Sequence, residues 1–219
     1  MKQLEILSYP VYEFSCDENL VNDVKKHIEQ LSHKDIGQVG TSQLFDNYYH
    51  KELFQFFNVS VTTVKNLYYK KSIEFPIVAC WANKYNMMQR MNDHTHSNGV
   101  ISGLFYVTTH EDSAPTLFNI YNPWTDFYDS PYHMLHMYDE PKFVTSKIYP
   151  KAGTLLLFPS HMKHSVMTMK KIETRYTISF NCFPKGVIGE MATGRLTLDT
   201  LSVEDKIKSG AVSATNTKE

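Results

Sequence analysis

The sequence predicts a mainly β protein, a β-sandwich or barrel with its helices packed on one face. Two amphipathic helical patterns come first, and seven runs rich in β-branched and aromatic residues then follow within about 110 residues. No internal repeat and no Pro/Gly/Ser-rich linker divides the 219 residues, a length that all-β sandwiches often reach as one unit. We therefore expect one domain over 1–202, with its core at about 75–185, and a flexible tail over 203–219, where apolar content is too low to order a segment alone.

Each element has its own signal. Residues 4–14 read as a first strand carrying Pro10, and 17–31 as a helix with Leu20, Val21, Val24, Ile28 and Leu31 at helical spacing. A second helix over 51–69 sets Leu53, Phe56, Phe57, Val61, Val64 and Leu67 on its apolar side. From residue 75 the period changes, and the strand candidates are 75–85, 100–108, 116–121, 143–149, 154–158, 165–169 and 175–183. The turn Pro150-Lys151-Ala152-Gly153 sharpens one boundary, because proline presets φ. The connection 122–141 is long and aromatic, with Trp124, Phe127, Tyr128, Tyr132 and Tyr138; a connection of that kind reads as a lid over a site or as a packed insertion.

Composition narrows the function classes. Lys+Arg 22 against Asp+Glu 23 leaves a formal charge of −1, which gives no nucleic-acid footprint and favours a small-molecule or peptidyl substrate. No apolar run is long enough to span a bilayer and the amino terminus lacks a signal-peptide pattern, so a soluble, cytoplasmic protein is expected. Cys16, Cys80 and Cys182 are few and odd in number, which fits buried thiols in a reducing compartment. Sandwich edges and the two helices would permit a homodimer, but no heptad requires one.

The chemistry concentrates in three histidines and one arginine. His94 and His96 stand at i and i+2, so on an extended segment both imidazoles face the same way and can converge on one metal ion with a third, His164. Taken singly, His110, His133, His136 and His161 read as ordinary polar residues, and a lone His-x-His says little. Arg175 opens a strand whose same-face set is Arg175, Thr177, Ser179 and Asn181; a guanidinium on an inward face calls for a carboxylate, whereas a rim position would pair it with Glu173.

These residues carry a resemblance. His-x-His, a distal His 70 residues on (164 − 94) and Arg at +11 (175 − 164) followed by Thr177 resemble the iron(II)- and 2-oxoglutarate-dependent dioxygenases, whose fold is the double-stranded β-helix, a cupin-like jelly-roll. The likeness is closer to a bacterial and phage branch. It lies in Trp81, His94-Thr95-His96, Ser102-Gly103-Leu104-Phe105-Tyr106, the run Gly153-Thr154-Leu155-Leu156-Leu157-Phe158-Pro159-Ser160, His164, and Arg175 with Asn181.

The resemblance implies an Fe(II) site with His94 and His164 as its two histidines, with 2-oxoglutarate and O2 as co-substrates, the keto acid's distal carboxylate on Arg175 helped by Thr177. It also implies hydroxylation of an unidentified substrate with release of succinate and CO2. Tyr106 and Asn181 are candidates for hydrogen bonds to the co-substrate or for packing. His96 departs from the Asp or Glu most of the superfamily places there, which leaves Asp93 as the other candidate third ligand; alternation puts Asp93 opposite His94 and favours His96. Two rival readings are a three-histidine cupin-type dioxygenase without 2-oxoglutarate and a non-catalytic metal- or sugar-binding sandwich.

Overall fold

The computed structural model describes residues 10–31, 34–35, 42–46, 48–110, 112–120, 144–170, 172–190 and 194–211. Helix α1 (Glu18–Glu29) is capped by Asp17, whose carboxylate accepts the N–H groups of Asn19 and Leu20, and its buried side is Val21, Val24 and Ile28. Helix α2 (Lys51–Tyr68) is capped by His50, whose Nδ1 accepts the Leu53 N–H, and it buries Leu53, Phe54, Phe57, Val61 and Val64. Among the described residues no helix is long and apolar enough to cross a membrane.

Among the described residues there are thirteen strands: β1 (Tyr12–Ser15), β2 (Lys34–Asp35), β3 (Ser42–Asp46), β4 (Ile77–Tyr85), β5 (Met91–His94), β6 (Ile101–Tyr106), β7 (Thr116–Ile120), β8 (Val144–Ile148), β9 (Thr154–Pro159), β10 (Lys163–Val166), β11 (Arg175–Cys182), β12 (Gly186–Glu190) and β13 (Gly194–Leu198). Seven form one sheet in the order β1-β9-β6-β11-β4-β3-β2, and four form a second in the order β5-β10-β7-β8, with every pair antiparallel. This is the jelly-roll that the motifs imply.

The large sheet has two working faces, because successive side chains alternate. On β11, Tyr176, Ile178, Phe180 and Cys182 join the main core under α1 and α2. The Phe180 ring lies 4.6 Å from that of Phe57, and Phe105 of β6 meets Phe57 at 5.6 Å. The opposite face turns toward the second sheet over a smaller core of Leu104, Tyr106, Phe118, Leu156, Phe158 and Met162. The helices therefore cover one face and leave the other free for a site, as expected.

Several elements differ from expectation. Of the first strand expected over 4–14, residues 12–15 pair as β1, and residues 1–9 lie outside the described ones. Strand β10 begins at Lys163, so His164 lies within it, paired with both His94 and Phe118. Strand β5 carries Met91-Asn92-Asp93-His94, too polar and short to show apolar alternation. The expected tail begins as a helix instead: α3 (Val203–Lys208) has a capping box between Ser202 and Asp205, buries Val203 and sends Lys206 Nζ to the Val78 carbonyl of β4 at 2.7 Å. A hairpin, β12-β13, precedes it. The 122–141 connection, with His133 and His136, lies outside the described residues.

One close approach tests this packing. A Cβ on Gly103 would stand 2.2 Å from the Phe180 ring, which crosses β6 there to reach Phe57. Gly103→Ala should cost about 1–3 kcal/mol through forced repacking. A chemical-denaturation midpoint equal to that of the wild type would contradict the arrangement.

Candidate metal and carboxylate site

The three histidines meet between the sheets. Their ring centroids are 5.0 Å apart for His94–His96, 4.3 Å for His94–His164 and 5.1 Å for His96–His164. One nitrogen from each lies within 4.8 Å of the others, a spacing that one ion can bridge. His94 ends β5 and His164 stands opposite it on β10, so ladder register brings these two together. His96 comes from the segment after β5 and is fixed by its own N–H, which donates to the Ser160 carbonyl at 2.9 Å.

Local hydrogen bonds decide which nitrogens are available. His94 Nδ1 lies 2.8 Å from the Asn92 carbonyl, and His164 Nδ1 lies 2.9 Å from the Met162 carbonyl. A carbonyl only accepts, so each Nδ1 carries the proton and each Nε2 keeps its lone pair, the arrangement a ligating histidine needs. Burial, followed by the neighbouring His94, lowers the pKa of His96 to about 4 and that of His164 to about 3. Near neutral pH both imidazoles are therefore uncharged. This donor set fits a divalent ion that accepts nitrogen ligands.

Arg175 supplies the second half of the site. It is 0% exposed and not on a rim; Glu173, its alternative partner, lies near His110 Nδ1 at 3.8 Å instead. Its Cζ sits 4.8 Å from the Tyr85 ring centroid and 5.9 Å from that of Tyr106, and Nη1 donates to the Ala114 carbonyl at 2.6 Å. Nε and Nη2 are buried without a partner among the described residues. Those two N–H groups form one edge of the guanidinium, the edge that grips a carboxylate through two parallel hydrogen bonds. Burial lowers the pKa of the group, with the two tyrosines opposing. Leaving such a cation unpaired costs several kcal/mol, so the residues fit a carboxylate guest.

A cavity beside the histidines reaches Tyr85, whose ring packs against Arg175, while Arg175 itself is not among the lining residues. Trp81, Asn83, Tyr85, His94, His96 and His164 all line it, with Thr116, Ser179 and Val166. Tyr85 is thus shared, one side toward the histidines and the other under Arg175. Thr177, fully buried beside Arg175 on the same strand face, meets Asn83 Nδ2 at 3.4 Å. Tyr106 keeps its phenolic proton, since burial pushes its pKa up to about 12, and its hydroxyl meets Thr116 Oγ1 at 2.7 Å.

Two sequence candidates fall elsewhere. Asp93 points out of the cluster: Asn119 Nδ2 donates to its Oδ1 at 2.8 Å, and Lys163 Nζ stands 4.0 Å from its Oδ2. Asn181 is six positions along β11 from Arg175 and is held by Ser102 and Asn98, outside the residues that line the cavity. The physical reason is strand length: six residues at about 3.3 Å each separate the two ends of the face. Sequence reading missed Asn83, Tyr85 and Thr116. The first two had a signal, because Trp81, Asn83 and Tyr85 are the same-face set of a strand otherwise rich in apolar residues.

Comparison with known proteins bears on the same residues. Residues 79–181 match the family described as "Putative 2OG-Fe(II) oxygenase", a span from β4 through all three histidines to Asn181. No curated protein matches the chain by sequence. Among solved structures, a 2OG-Fe(II) oxygenase family oxidoreductase from Burkholderia pseudomallei has a TM-score of 0.55 at 10% identity, covering 78% of this chain and 83% of its own. A Pseudomonas putida prolyl-4-hydroxylase has a TM-score of 0.54 at 11% identity, over 80% and 93%. HygX from Streptomyces hygroscopicus, solved with nickel, 2-oxoglutarate and hygromycin B, has a TM-score of 0.57 at 11% identity, over 90% and 95%. At such identities these likenesses speak for the jelly-roll fold. The matched segment spans the histidine cluster and the buried arginine, so over residues 79–181, just under half of the chain, the sequence is similar to the 2OG-Fe(II) oxygenases.

Proposed function

We propose that the chain is a hydroxylase in which His94, His96 and His164 hold Fe(II) and Arg175 holds the distal carboxylate of 2-oxoglutarate. The observation that carries this is the Nε and Nη2 edge of an unexposed guanidinium, without a partner among the described residues and packed on Tyr85 of a cavity that three imidazoles also line. When bound, Fe(II) and 2-oxoglutarate would let O2 act as the oxidant, one of its oxygen atoms entering a substrate C–H bond and the other the succinate, with release of CO2.

The chain's own contribution is positioning and charge. Its carbonyls at Asn92 and Met162 fix two imidazoles with Nε2 free. Arg175 neutralises the co-substrate carboxylate in a desolvated site, where a charge-assisted pair is strong. Thr177 and Tyr106 offer hydroxyls nearby, while Asn83 lies between the arginine end and the histidines, its Nδ2 3.2 Å from Ser179 Oγ. Trp81, whose ring is 5.5 Å from that of His96, and Met91 give the cavity apolar walls that keep water from the reacting centre.

The prime substrate is proposed to be a small molecule or a peptidyl residue, in keeping with a formal charge of −1. A prolyl-4-hydroxylase and a hygromycin-bound oxygenase among the structural neighbours agree with both classes. A cytoplasmic setting is in line with three free cysteines, of which Cys80 and Cys182 are buried.

The reading is tested by anaerobic titration of apo-protein with Fe(II) and then 2-oxoglutarate. A weak visible absorption band should develop only when both are present, and Arg175→Ala should weaken 2-oxoglutarate binding by 2–5 kcal/mol, roughly the loss on breaking a buried charge pair. Unchanged co-substrate affinity in that variant would remove Arg175 from the role. His164→Ala should abolish metal uptake measured by elemental analysis, whereas Asp93→Ala should retain it. The reverse pattern would move the metal to the carboxylate.

A further inference from the structure

Three motif residues that the oxygenase reading leaves unused come together in one place. Ser102 of β6, Ser160 after β9 and Asn181 of β11 are 1%, 0% and 1% exposed. Ser102 Oγ lies 2.8 Å from both Ser160 Oγ and Asn181 Oδ1. A hydroxyl has one proton and an amide oxygen only accepts, so Ser102 donates to Asn181 and accepts from Ser160. Asn181 Nδ2 then donates to Asn98 Oδ1 at 3.2 Å, which extends the chain of bonds onto the segment after His96.

The backbone follows the same route. The His96 N–H reaches the Ser160 carbonyl at 2.9 Å, the Ser160 N–H reaches Val100 at 3.1 Å, and the Val100 N–H reaches Cys182 at 2.9 Å. Gly99 passes so close that a Cβ there would stand 2.6 Å from Ser160 Oγ. Ser160 also lies four positions ahead of His164, at the start of the turn into β10, so it is joined both to the His96 segment and to the strand bearing His164. His96 needs such support. Among the described residues neither of its ring nitrogens has a fixing bond to a backbone carbonyl like those of His94 and His164, so the segment that carries it must set its position.

We propose that Ser102, Ser160 and Asn181, with Asn98, are positioning residues that fix the His96 segment against β9 and β11 and so complete the three-imidazole cluster. Asn181 thereby acts on the metal site through His96, without touching the co-substrate. This rests on the metal-site reading of His96.

The test uses the full apo chain with Co(II) alone as probe, in wild type, Ser102→Ala, Asn181→Leu and Asn98→Ala. The last alters an exposed side chain and keeps the question open to answer should the buried variants fail to fold. Ser60→Ala, which removes an equally buried hydroxyl bonded to the Phe56 carbonyl within α2, is the control. Co(II) affinity should fall about ten-fold or more in Ser102→Ala and Asn181→Leu and less in Asn98→Ala, with altered visible d–d absorption. Hydrogen exchange at the His96 amide should quicken in the same apo variants, and Ser60→Ala should match wild type. Faster exchange with unchanged cobalt affinity and spectrum would make the network a structural brace and overturn the proposal, as would unchanged exchange. Wild-type protein that takes up no Co(II) would overturn the metal-site reading itself, and the proposal with it.

Discussion

A guanidinium with no exposed surface, whose Nε and Nη2 have no partner among the described residues, is the constraint around which the inner face of this sheet is organised. Arg175 stands on β11 in register with Tyr85 of β4, and the aromatic rings of Tyr85 and Tyr106 pack its planar faces. Those contacts and one carbonyl bond offset only part of the desolvation of a cation. The remaining edge makes the folded chain complementary to a carboxylate before any is bound. Stability here is spent on pre-organisation, which lowers the ordering cost when the guest arrives.

The second half of the site is built by a different device and belongs mainly to the other sheet. His94 and His164 face each other across a β5-β10 ladder, and each is oriented by a carbonyl two residues earlier in its own chain. The orientation of these two imidazoles is thus set by local geometry that each strand supplies for itself, whereas the place of Arg175 is set by the large sheet. Tyr85 joins them, lining the cavity beside the histidines and packing on Arg175, so the distance between the two halves depends on how the sheets pack over Leu104, Phe118 and Phe158. If three imidazoles hold the metal as proposed, with no carboxylate among them, its charge would be left for the anionic co-substrate to compensate.

The long apolar strands were legible in the sequence because both their faces are buried: β4, β6, β9 and β11 lie within about two residues of their expected bounds. The same holds for α1 and α2, whose apolar spacing and caps are local signals. Strand β5 was missed because Asn92, Asp93 and His94 leave it a single apolar residue, and β10 was expected two residues late, at 165–169, because Lys163 and His164 carry no strand signal. The short β2-β3 and β12-β13 pairs have little apolar pattern, and α3 is specified by a capping box and a single buried valine in a polar stretch. His94, His96, His164 and Arg175 were legible as a set of motifs. Their convergence was not, since Ser102 and Asn181, or Tyr85 and Arg175, meet across some 80 to 90 positions of chain. For the same reason Asn181 looked like a co-substrate contact when its amide is bonded to Ser102 and Asn98.

The central claim is that one cavity seats a metal on three imidazoles and a carboxylate on the free edge of Arg175. A crystal structure of the chain soaked anaerobically with nickel and 2-oxoglutarate, with anomalous data at the nickel edge, tests it most directly. The account predicts an anomalous peak bounded by Nε2 of His94, His96 and His164, with a carboxylate of the keto acid hydrogen-bonded to Nε and Nη2 of Arg175. A peak beside Asp93, or a keto acid bound with that guanidinium edge still empty, would contradict it.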